Sequence, residues 1–70
     1  MLEIIFIVEE DPEGGYNASA LGYSIFTQAD TLEELKMNIK DAIKCHFEKE
    51  EDYPKIIRLH MVKEEIFSYA

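Results

Sequence analysis

Cys45 and His46 stand side by side, and a thiol next to an imidazole is the pairing from which a nucleophile and its general base are built. The spacing works against that chemistry. Adjacent residues of a helix project roughly 100° apart and do not face each other, and no Asn or Asp is placed to orient the ring. By helical phase His46 falls near Ile39 and Ala42 on the apolar side, where a packed imidazole bonded to backbone is the commoner finding. His60 is expected to be a sheet-face residue of the last strand. No catalytic residue follows from either histidine or from Cys45.

The carboxylates are the second candidate chemistry. Glu3 and Glu9 share one face of an extended segment, but six residues of strand separate them by roughly 20 Å, too far to share a metal ion. Glu9, Glu10, Asp11 and Glu13 cluster in a turn without the ligand spacing of a calcium loop, so the expectation is solvated turn acids, no metal and no cofactor. Their remaining use is electrostatic: an acidic patch that steers a basic partner, raising association rate more than affinity.

The elements that would position these groups can be read from pattern. Leu2 to Glu9 is rich in β-branched and aromatic residues, with Leu2, Ile4, Phe6 and Val8 on one face and Glu3, Ile5, Ile7 and Glu9 on the other, which predicts a strand buried on both faces at its centre. Pro12, Gly14 and Gly15 then allow the chain to reverse. Tyr16 to Leu21 and Ser24 to Gln28 complete a three-stranded antiparallel meander. Thr31-Leu32-Glu33-Glu34 has the form of a capping box and predicts a helix start. Leu32, Leu35, Ile39, Ala42, Ile43 and Phe47 form its apolar stripe. The charged run Glu48 to Asp52 and the block at Pro54 should end the helix near residue 50, leaving the run as a solvated helix end. Ile56 to Phe67 alternates as a last strand, Ile57, Leu59 and Met61 against Arg58 and His60. The expectation is a single α+β domain over residues 1–70: β-β-β-α-β, an antiparallel sheet with one helix packed on one face.

One helix covers one face of a sheet, so the other face meets solvent, a folded-back segment or another chain. Ile5 and Ile7 put large apolar groups there. Either Tyr23, Tyr53 or the tail Ile66-Phe67-Ser68-Tyr69 folds over that face, or it is a protein interface; the interface is the preferred reading. Size points the same way, because 70 residues hide only about 60% of the unfolded chain's surface and a second copy would add buried area. A homodimer is expected.

Composition narrows the partner. Fifteen acidic residues against seven basic ones give a formal charge of −8, which repels phosphate backbones and anionic membranes and suits a basic protein. A hydrophobic fraction of 47% is too high for a disordered acidic tail. A lone cysteine and the lack of a charged n-region followed by an apolar h-region predict a reduced, cytoplasmic protein, with no membrane and no direct nucleic-acid contact.

The string Val8-Glu9-Glu10-Asp11-Pro12-Glu13-Gly14-Gly15-Tyr16, followed by Thr27-Gln28-Ala29-Asp30-Thr31-Leu32-Glu33-Glu34-Leu35, resembles the HicB-like antitoxin family over roughly residues 2 to 47. In the family pattern an acidic loop ends in Gly-Gly-Tyr, and a Thr-Gln-Gly-Asp-Thr-Leu-Glu-Glu-Ala segment opens the helix. Ala29 and Leu35 stand here where that pattern has glycine and alanine, and its Pro-Gly-Cys before the third strand is replaced by Leu21-Gly22-Tyr23. The resemblance implies a partial ribonuclease-H-like fold and an antitoxin that binds and neutralises a small basic HicA-type toxin, an mRNA-cleaving ribonuclease. Full-length members carry a further DNA-binding module. None is expected in this sequence, and operator binding is not expected with it.

The residues expected to meet the partner are Ile5, Ile7, Glu9, Glu10, Asp11 and Glu13. A reading from another class is a small metabolite-binding or accessory subunit of an enzyme, without its own active site; only Cys45 and His46 speak for it.

Overall fold

A computed structural model describes residues 1–63 and 65–69 of the chain. Among the described residues four strands, β1 (Glu3–Glu10), β2 (Tyr16–Ala20), β3 (Phe26–Ala29) and β4 (Ile56–Val62), flank one α-helix in sequence, α1 (Leu32–His46), which lies between β3 and β4. This is the expected α+β order. The alternation along β1 resolves as read, with Ile4, Phe6 and Val8 at 2% exposure or less and Ile5 and Ile7 half-buried on the opposite face. Ala18, Ile25, Leu35, Ile39 and Ile43 complete the buried core.

Two turns make the meander. The Asp11 and Gly15 backbones close the first, the Asp11 amide donating to the Gly15 carbonyl at 2.9 Å and the Gly14 amide to the Asp11 carbonyl at 2.9 Å. Both glycines have positive φ, 109° and 86°, the left-handed region that a Cβ disfavours. The second turn closes where the Ala20 amide reaches the Ile25 carbonyl at 2.9 Å.

The sheet order is β3-β2-β1-β4, with β1–β2 and β2–β3 antiparallel and β4 parallel to β1. The sheet is therefore mixed, which corrects the all-antiparallel expectation, and the reason is parity. Two hairpin reversals leave β3 running in the same sense as β1. A single helix then carries the chain back across the sheet, so the next strand must start from the same end as β1 and β3. The free edge of β1 is where it docks.

Thr31 caps α1, its Oγ1 accepting the Glu34 amide at 3.1 Å. The Asn38 side chain donates to the Gln28 carbonyl at 3.1 Å and ties the helix to β3. The helix ends earlier than the predicted residue 50, at His46, where Phe47 turns extended and donates its amide to the Ile43 carbonyl at 3.0 Å. Two forces favour that stop. Phe47 is drawn onto the core and onto Tyr23, ring centroids 5.5 Å apart. Continuing would also place Glu48, Glu50 and Glu51 at the negative end of the helix dipole. Glu50–Asp52 instead forms an exposed 3-10 turn, so this acidic run is not a helix end. The last strand ends at Val62 rather than Phe67; the expected stretch crosses Glu64, which lies outside the described residues, as does Ala70 at the end of the expected domain.

Candidate functional site

The pairing register decides which side chains share the face that α1 leaves open. Ile7 lies between Ser19 on β2 and His60 on β4, and Ser19 in turn pairs with Phe26 on β3. The next row is Gln28, Asn17, Glu9 and Val62. Toward the other end, Ile5 pairs with Arg58 and Glu3 with Ile56. Paired residues point to the same side of a sheet. Ile5, Ile7, Phe26, Ile56 and Val62 therefore give this face its apolar groups, and Glu3, Glu9, Asn17, Ser19, Gln28, Arg58 and His60 its polar ones.

Nothing among the described residues covers the face in the ways sequence allowed. Tyr23 packs edge-on against His46 and Phe47, Tyr53 leans on the core, and Ile66, Phe67 and Tyr69 are 84%, 85% and 104% exposed. Phe26 is 62% exposed and Ile56 and Val62 47% each. Large apolar groups set among polar ones on an exposed surface have the composition of a protein-binding patch.

Charge on this face is partly internal. Arg58 Nη2 lies 3.1 Å from Glu3 Oε2, an exposed pair worth a few tenths of a kcal/mol to about 1 kcal/mol. Among the described residues Glu9 has no ion pair on the face, and His60 stands one row from it across β1 and β4.

The six residues expected to meet a partner divide. Ile5, Ile7 and Glu9 share the open face. Glu10 pairs with Tyr16 and points the opposite way. Asp11 is half-buried and its Oδ1 accepts the Glu13 amide at 2.9 Å, so its carboxylate braces the turn. Glu13 is exposed at the tip. Phe26, Arg58 and Val62 were missed as members of the face. Alternation within Phe26–Ala29 was the available signal for Phe26, but membership for β4 depends on its neighbour, which sequence did not give.

His46 is exposed rather than packed on the apolar side, because the helix ends there and its ring turns to Phe47 at 4.9 Å and Tyr23 at 6.0 Å. Cys45 is exposed and free. Among the described residues no group of three or more His, Cys, Asp or Glu is gathered to hold a metal ion. No helix among them is long and apolar enough to cross a membrane.

Two curated proteins are similar to the chain. One, a UPF0150 protein of Archaeoglobus fulgidus, is 60% identical over 53 residues, covering 76% of this chain and 77% of the relative. Another, a UPF0150 protein of Thermotoga maritima, is 52% identical over 62 residues, covering 89% and 86%. No family model matches the chain, and no solved structure matches it.

Proposed function

The chain belongs to the UPF0150 family, and within that family we propose that it is a HicB-like antitoxin, a non-enzymatic interaction module that binds and neutralises a small basic HicA-type mRNA-cleaving toxin in the cytoplasm, acting as a homodimer. The observation that carries this reading is the open sheet face, where Ile7 is framed by Ser19, His60 and the exposed Phe26. An apolar centre supplies affinity and the surrounding polar groups supply fit. The motif string around Gly14-Gly15-Tyr16 and Thr31 to Glu34 supports the family side of the reading.

Electrostatics supports a basic partner. Glu9 on the face, Glu13 at the adjoining hairpin tip and the formal charge of −8 attract a positive protein and speed its encounter. Neutralisation follows if the toxin's RNA-binding surface is covered by an acidic protein that occupies it. The module needs no chemistry of its own.

The test is co-expression with a small basic HicA-type protein, followed by mass measurement on size exclusion. A single complex containing both chains, and relief of the growth arrest that the partner causes alone, support the reading. Separate elution of two folded chains contradicts it.

A further inference from the structure

The surface between α1 and β4 differs in charge from the rest of the molecule. Ile39, Ile57 and Leu59 line a groove there, bordered by Lys36 and Lys40. Met61, next on the same side of β4, is 54% exposed. The segment 55–63 carries no acid, and Lys55 and Lys63 stand at its two ends. β4 is also an edge strand, with β1 on one side only. A basic toxin is repelled by such a groove; an apolar strand with negative charge suits it.

The chain contains a segment of that composition. Residues 65–69, Glu-Ile-Phe-Ser-Tyr, alternate so that Glu65, Phe67 and Tyr69 share one side and Ile66 and Ser68 the other. Although Ile66 borders a hollow beside Pro12 and Val62, it is 84% exposed, with Phe67 at 85% and Tyr69 at 104%. Two large apolar residues at alternate positions of the segment are thus in water, while an unfilled apolar groove lies beside an open strand edge.

We propose that residues 65–69 of one copy add as a strand to the β4 edge of a second copy, placing Phe67 and Tyr69 over the groove between its α1 and β4. The added strand satisfies the edge amides and carbonyls of β4, and Glu65 enters a site rimmed by Lys36 and Lys40. Two features favour exchange between copies. Folding the segment back onto its own β4 requires reversal within residues 63 and 64, neither of which is glycine, asparagine or aspartate, the types that a two-residue hairpin turn needs. Direct pairing of two β4 strands, antiparallel about Leu59, would oppose Lys55 to Lys63 and Arg58 to His60. This interface leaves the open sheet face free, so it stands or falls independently of toxin binding.

The experiment is sedimentation equilibrium of the full chain at micromolar concentration, with disulfide mapping. The expected species is a dimer of the 8.2 kDa chain. Phe67→Ser with Tyr69→Ser should weaken association at least tenfold, as should Lys40→Glu, while Ile7→Lys leaves it unchanged. The replaced tail residues are more than four-fifths exposed, so circular dichroism should report an intact fold. In a Cys45→Ser background, oxidising a mixture of the Lys40→Cys and Tyr69→Cys variants should join two chains. A monomeric parent, a tail variant that dimerises like the parent, or a mixture in which the Lys40→Cys and Tyr69→Cys chains do not join to each other would overturn the proposal.

Discussion

A Cβ added to Gly15 would lie 2.8 Å from the carbonyl oxygen of Ala29, closer than carbon and oxygen can approach without backbone movement. The β1–β2 turn is thereby held against the last residue of β3. Gly14 has positive φ too, but a Cβ there meets nothing within 4 Å. Gly14→Ala should therefore cost about 1 kcal/mol, the conformational penalty alone. Gly15→Ala carries that penalty and the clash and should cost more. Urea midpoints of the two variants check the order.

Thr31→Ala removes the acceptor of the Glu34 amide and should destabilise the domain by about 1 kcal/mol. In a chain of this size that is a large fraction of the total. Partner binding should weaken only through the folded fraction. Thermal melts and titrations on one preparation separate the two effects; loss of binding by a fully folded variant would place Thr31 at the interface.

Leu35 is fully buried beneath the first turns of α1, and Leu35→Ala should cost about 2–5 kcal/mol through lost burial and the cavity left behind. Glu3→Gln breaks only the exposed pair with Arg58 and should change stability by less than about 1 kcal/mol. Denaturant unfolding of both variants should separate them clearly.

The elements were legible because their signals are local. Period-two alternation around Phe6, two glycines after Pro12 and a threonine three residues before Glu34 each act within a turn or two of chain. The buried stripe Leu35, Ile39, Ile43 came out as read. What was not legible depends on distant neighbours. The parallel docking of β4 requires the sense of β3 to be carried through the helix crossover, and with it comes the placement of Arg58, His60 and Val62 beside Ile5, Ile7 and Glu9. The turn role of Asp11 was not legible for the opposite reason. Its Oδ1 accepts the Glu13 amide, a bond between residues only two apart that charge alone does not reveal.

The purified chain should show no magnesium-dependent RNA cleavage, since Glu3 is engaged by Arg58 and stands at the opposite end of β1 from Glu9. The assay is gel analysis of labelled RNA with and without magnesium. Cleavage that copurifies with the protein and vanishes in Glu9→Gln would assign the open face to catalysis instead.

The most direct measurement of the central claim is calorimetric titration of the purified chain with a small basic HicA-type protein, run with the parent and with Ile7→Lys. Ile7 is half-buried at the middle of the open face, and a lysine there adds a like charge to a basic partner's docking site. The account predicts saturable binding by the parent and at least a tenfold loss in Ile7→Lys, with circular dichroism unchanged. Equal affinity in a folded Ile7→Lys variant, or no binding by the parent, would contradict it.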